Sequence, residues 1–209
     1  DEYINVIYAP TWRQHSQVKL FPFSDFNSEE LGDFLEKNKI RIFVRFHPAY
    51  EESIPEEILK IKNISLFSAK KYLEVMDYIN NFDALITDYS SIYLDYMLLE
   101  RPLIFIPYDL EEYENSVGFT MDYNQNTPGG KPITQREFID ILTKIKNNPE
   151  YQKTEIQELN KKEEQRNIGK NRISLYLLKV KLLSIPLVKL NLKKSKSAMV
   201  KKLLHSYLL

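Results

Sequence analysis

The chain has 209 residues, 43% of them hydrophobic and 28% charged, enough for one well-packed core or one domain with an appendage. It contains no cysteine and only three widely spaced histidines (His15, His47 and His205), which excludes disulfides and argues against thiolate- or histidine-rich metal centres. The formal net charge of zero hides a segregation: residues 165–209 carry 11 Lys or Arg and no Asp or Glu, leaving 18 basic against 29 acidic residues in the first 164. A tail so one-sided in charge is expected to meet an anionic surface, membrane or nucleic acid.

No secretory signal is expected here, because Asp1-Glu2-Tyr3 leads straight into a strand-like run. A start inside a strand, without methionine, is expected of a piece of a longer protein. Ile4–Tyr8 reads as the first strand, followed by Ala9-Pro10-Thr11-Trp12-Arg13 and an aperiodic loop over 14–27. Ser28 with Glu29 and Glu30 opens a helix to about Asn38, with Leu31, Phe34 and Leu35 on one face. Ile40–Phe46 is a strand halted at His47-Pro48, Glu51–Lys60 a short acidic helix, and Ile64–Phe67 a small strand. The spacing of Leu73, Met76 and Ile79 predicts an inward helical stripe over 72–81.

Residues 84–100 are the most informative. Ala84-Leu85-Ile86 reads as a buried strand, and Thr87, Asp88, Ser90 and Ser91 follow where a helix should begin. A strand that runs through hydroxyls into a helix start presents free backbone N–H groups to an anion such as phosphate. The competing role for either serine is an ordinary helix cap. Leu103–Ile106 is a further strand, Pro128-Gly129-Gly130 a turn, Thr134–Asn147 a helix with Phe138, Ile141, Leu142 and Ile145 as its stripe, and 154–165 a charged helix. Near-continuous apolar strands alternating with helices predict an α/β fold, a Rossmann-like parallel sheet covered on both faces.

In such sheets ligands lie beyond the carboxyl ends of the strands. Pro10–Arg13, Arg45–Pro48 and Thr87–Ser91 all fall there. Arg13 and Arg45 have the planar fork suited to phosphate. Pro48 holds His47 extended, so its ring projects off the strand end, where it could donate a hydrogen bond or act as acid or base. Asp88 is a candidate for positioning the loop or binding a hydroxyl, and Asp95 lies one helical turn beyond Ser91. Trp12 is placed to stack on a base or to pack. No Walker-type loop and no Gly-x-Gly-x-x-Gly is present, which argues against a P-loop NTPase or a dinucleotide dehydrogenase.

Tyr-Ala-Pro-Thr-Trp-Arg (8–13), Arg-Phe-His-Pro (45–48), Ile-Thr-Asp-Tyr-Ser-Ser-Ile-Tyr-Leu-Asp (86–95), Arg-Pro-Leu-Ile-Phe (101–105), Pro-Tyr-Asp-Leu-Glu-Glu-Tyr (107–113), Gly118-Phe119 and Pro128-Gly129 occur in that order. Together they resemble the CDP-glycerol glycerophosphotransferase family over roughly residues 3–172. The resemblance implies the nucleotide-binding half of a GT-B-type enzyme. It would take CDP-glycerol or CDP-ribitol as donor and transfer the polyol phosphate to a hydroxyl of a lipid-linked or polymeric acceptor of teichoic-acid or capsule type, releasing CMP. It further implies that His47 is important for activity and that Thr11, Arg13, Arg45, Ser90, Ser91 and Asp95 lie where the donor binds; it implies no metal or other cofactor, since arginine, helix N-terminus and hydroxyls can hold the diphosphate. Two positions depart from the family pattern: Val117 stands where many members carry arginine before Gly118-Phe119, and a late Asp-Gly-x-x-Ser-x-Arg segment is reduced to Asn167–Arg172. The family's other catalytic histidine belongs to an N-terminal half that this sequence does not contain. A donor-binding or membrane-recruiting module without turnover is the alternative reading.

Residues 1–172 are therefore expected to form the donor-binding domain and 173–209 a basic helical tail. Lys179, Lys181, Pro186 and Lys189 interrupt its apolar runs, which makes a spanning helix unfavourable. Leucines interleaved with lysines fit helices lying in an anionic membrane interface, peripheral at the cytoplasmic face; a helix packed on the rest of the enzyme is the other option. Only Tyr176 and Tyr207 are aromatic there, too few for a nucleic-acid stacking surface.

Overall fold

The computed structural model describes residues 3–13 and 17–167. The tail reading for residues 173–209 lies outside the described residues. Five strands, β1 (Ile4–Tyr8), β2 (Ile40–Val44), β3 (Ile64–Leu66), β4 (Ala84–Thr87) and β5 (Leu103–Phe105), form one parallel sheet in the order β3-β2-β1-β4-β5. The chain builds outward from β1 to β3, then returns to the other side of β1. Strand order therefore reverses between β1 and β4, and their carboxyl ends open a crevice at that point.

Side-chain alternation divides the interior into two cores. Val6, Tyr8, Ile40, Ile42, Val44, Ala84, Ile86 and Ile104 face one side, with α1 (Ser28–Lys37) packed over them. The other face carries Ile7, Leu85, Leu103 and Phe105. Between β2 and β3 lies α2 (Glu56–Leu59), and α3 (Ile92–Met97) follows β4 and buries Tyr93, Tyr96 and Met97 on the second face. Two further short helices follow β5, α4 (Leu110–Ser116) and α5 (Tyr123–Asn126). The helix α6 (Gln135–Asn147) seats Phe138, Ile141, Leu142 and Ile145 in the first core, as its spacing predicts, and Thr134 caps it through the Glu137 N–H. The last described helix, α7 (Lys153–Asn167), places Ile156 in the second core.

Gly130 pairs with Ile104 on the outer side of β5. Gly129 before it has φ +101°, and a Cβ there would collide with the Leu103 carbonyl, so the turn admits only glycine.

Two expected helices differ. Over 51–60 the chain makes a 3₁₀ turn (Pro48–Ser53) and then α2, because Pro55 forces Ile54 into an extended conformation. Over 72–81 there are two 3₁₀ turns, Val75–Asp77 and Ile79–Asn81, and Leu73, expected inward, is 76% exposed. The Arg45 guanidinium takes the carbonyls of Tyr72 and Leu73, the acceptors an α-helix would have offered to residues 76 and 77. Stacking of Tyr72 on Phe67 (4.3 Å) with Tyr78 edge-on to both fixes the irregular path. The helices α4 and α5 carry too few apolar residues in too few turns for periodicity to reveal them.

Candidate functional site at the strand ends

The crevice is built on Asp88, which follows β4 and is 2% exposed. Its Oδ1 accepts the backbone N–H of Thr11 (2.7 Å) and of Tyr89 (2.6 Å), while Oδ2 accepts Arg13 Nη2 (2.9 Å). Thr87 Oγ1 donates to the Ala9 carbonyl (2.7 Å), a second tie between the ends of β1 and β4. Asp88 thus locks the loop after β1 onto the turn after β4.

Arg13 lies beneath this lock with every nitrogen engaged. Nε donates to Asp109 Oδ2 (2.8 Å), Nη1 to the Thr11 carbonyl (2.7 Å), and Nη2 to both Asp88 and Asp109 Oδ1 (2.9 Å each). The rings of Tyr89, Tyr113 and Tyr108 surround it at 4.9, 5.2 and 5.5 Å. Burial works against its charge, but the Asp109 hydrogen bond and the Asp88 carboxylate outweigh burial and hold it protonated. Burial likewise raises the Asp109 pKa, and the bonds from Arg13 and Tyr89 bring it below the ordinary carboxylate range. Arg45, buried after β2, donates to the carbonyls of Phe67, Tyr72 and Leu73 (3.4, 2.7 and 3.1 Å). Both arginines stand at the expected edge, but their forks grip the protein's own acceptors.

What remains open is the turn 89–92. Ser90 is half-buried and Ser91 exposed. Ser91 occupies the N-cap position of α3, yet its side chain makes no capping bond, so the simple cap role is unused there. Asp95 is half-buried on α3 with no partner for its carboxylate among the described residues, and burial raises its pKa. Thr11 Oγ1 is enclosed without a hydrogen-bond partner among the described residues. His47 is exposed at the end of β2; its Nδ1 accepts the Ala49 N–H (3.3 Å) and starts the 3₁₀ turn. Its ring sits 5.9 Å from Tyr50, which stacks on Trp12 at 5.4 Å. Both aromatic residues are about two-fifths exposed, so the loop after β1 also touches the loop after β2.

Sequence reasoning missed Asp109 and Tyr89 as site residues. Both lie in the quoted motifs, but Asp109 meets Arg13 across 96 residues, and no local spacing reports that contact.

Fold and site together define a Rossmann-like α/β domain with its polar edge gathered at the switch point. The chain belongs to the CDP-glycerol:poly(glycerophosphate) glycerophosphotransferase family, whose model matches residues 1–176. It is 35% identical over 144 residues to the teichoic acid glycerol-phosphate transferase of Staphylococcus aureus, covering 67% of this chain and 36% of that one. It is 34% identical over 126 residues to the teichoic acid glycerol-phosphate primase of Bacillus spizizenii, covering 59% and 30%. The solved structure of the wall teichoic acid polymerase TagF superposes with a TM-score of 0.58 at 22% identity, over 88% of this chain and 44% of that one. The chain spans about a third of the length of these curated relatives.

Proposed function

We propose that this domain binds CDP-glycerol, or a related CDP-polyol such as CDP-ribitol, for transfer of the polyol phosphate to a growing teichoic-acid or capsule-type polymer. In that reaction an acceptor hydroxyl oxygen forms a bond to the polyol-bearing phosphorus. The bond from that phosphorus to the bridging oxygen breaks, CMP departs with its electron pair, and the hydroxyl proton is lost to a base. Family membership supports the chemistry. The observation that carries the site is the turn at 89–92, fixed from below by Asp88 and opening into α3 with a serine that does not cap it.

In this reading the N–H groups and hydroxyls of Ser90 and Ser91 hold the diphosphate at the positive end of α3. The unpartnered Asp95 carboxylate accepts a donor hydroxyl. Arg13 and Arg45 act through the loops they hold. Because Nδ1 of His47 accepts the Ala49 N–H, the neutral ring carries its proton on Nε2. Nε2 therefore offers a donor to a phosphate or to departing CMP, a role that suits the donor side of the reaction better than proton abstraction from the acceptor. We include in the reading an anionic membrane as the partner of residues 173–209, on the strength of their lysine-leucine pattern.

Calorimetric titration with CDP-glycerol, CDP-ribitol, CMP and a UDP-sugar tests the donor. Binding of a CDP-polyol more tightly than the UDP-sugar is expected; no binding of any CDP compound overturns the reading. Vesicle co-sedimentation tests the tail. Binding to phosphatidylglycerol that weakens with salt is expected, and indifference to lipid charge and salt overturns it.

A further inference from the structure

Above Asp88, the open turn is anchored at Tyr89, immediately before Ser90. Its backbone N–H is taken by Asp88, its ring stacks on Tyr113 of α4 at 4.2 Å, and its hydroxyl donates to Asp109 Oδ1 at 2.8 Å. Asp109 is in turn the point where three strand-end loops meet. It lies beyond β5, receives two guanidinium bonds from the loop after β1, and receives the Tyr89 hydroxyl from the turn after β4. Its side chain is 12% exposed, so these bonds form where water competes little.

We propose that Asp109 and Tyr89 are positioning residues for transfer, and that their hydrogen bond sets the direction in which the Ser90 and Ser91 hydroxyls face the donor phosphates. The inference rests on the donor reading above. The physical reason is leverage. A hydrogen bond to a charged acceptor is among the stronger kinds, and this one holds the side chain adjacent to the first phosphate-facing group. Preorganised donors act on a phosphate only when aimed before the ligand arrives. Losing the hydroxyl leaves the Tyr113 stack and the Asp88 bond, so the turn remains folded but less exactly aimed. Neither Asp109 nor Tyr89 needs to touch the donor.

The test is a double-mutant cycle read by CDP-glycerol titration. Tyr89→Phe removes one hydroxyl and is expected to weaken binding about 10-fold with little change in thermal midpoint. In the Ser90→Ala/Ser91→Ala background, where the groups it aims have lost their hydroxyls, the same change is expected to cost under about 2-fold. A loss equal in both backgrounds, or no loss in either, overturns the proposal, because a merely structural tie gives additive effects. Asp109→Asn is expected to follow Tyr89→Phe; if it fails to fold, Tyr89→Phe still decides. In the full-length enzyme the same change should lower kcat as well as raise KM. Wild-type chain that binds CDP-glycerol while Tyr89→Phe behaves identically removes the positioning role alone. Wild-type chain that binds no CDP compound removes the donor reading and this inference with it.

Discussion

The two halves of the strand-end edge are built on opposite principles. Between β1, β4 and β5 a buried cation is neutralised by two carboxylates and ringed by tyrosines, so charge pairing sets the geometry. Beyond β2 and β3 a buried arginine is satisfied by three backbone carbonyls, and the functional candidate, His47, stands exposed beside two partly exposed aromatic rings. The first half suits a site that must present fixed donors to a diphosphate. The second suits a group that approaches a bond from outside. Carbonyl ties tolerate small loop movements, whereas a buried ion cluster loses much of its stability when one member is displaced.

The sharpest way to break this contrast is Arg13→Ala, which strands Asp88 and Asp109 as uncompensated charges. A stability loss of roughly 3–5 kcal/mol is expected by denaturant melt. Arg45→Ala should cost visibly less, since it removes no countercharge and the carbonyls of Tyr72 and Leu73 that it orphans are only partly buried. Equal losses would show that the two edges are not differently built.

Next in size is His47→Ala in the full-length enzyme, expected to lower kcat about 10²-fold, on the scale of a positioned acid or hydrogen-bond donor, with only a small loss of thermal stability from its exposed cap bond to Ala49. Turnover matching wild type would reduce His47 to the cap of its 3₁₀ turn.

Replacing Ser90 and Ser91 together with alanine is expected to weaken CDP-glycerol binding at least ~10-fold, since a hydrogen bond to a charged group contributes about 1.5–3 kcal/mol. The melting temperature should stay nearly constant, because Ser91 caps nothing. A falling melting temperature with intact affinity would return these serines to a capping role.

The smallest effect concerns Asp95. Burial raises its folded pKa, so the folded chain holds this proton more tightly than the unfolded chain does. Its contribution therefore favours the fold at low pH and is lost as pH rises from the unfolded pKa through the raised folded one. Asp95→Asn is expected to raise the melting temperature slightly at neutral pH and to flatten that decline, while weakening donor binding. Asp109, whose folded pKa is lowered, should show the opposite sign, losing stability as pH falls through its folded value. Paired melts of the two Asn variants across the acid range check both directions.

The sequence by itself determined the parallel α/β class, all five strands to within two residues, and the helices α1 and α6, because a continuous apolar run or a long 3.6-residue stripe has one good way to be buried. It also marked the three polar strand ends, since hydroxyls, arginines and a His-Pro pair have little reason to interrupt apolar runs otherwise. What it left open depended on partners distant along the chain. Whether residues 72–81 coil as a helix was decided by Arg45, which takes the carbonyls such a helix needs. Whether Arg13 faces a ligand or the protein was decided by Asp109, 96 residues away, which no local period encodes. Tertiary structure alone set these outcomes, because a buried guanidinium goes to whichever acceptors the fold brings within hydrogen-bond reach.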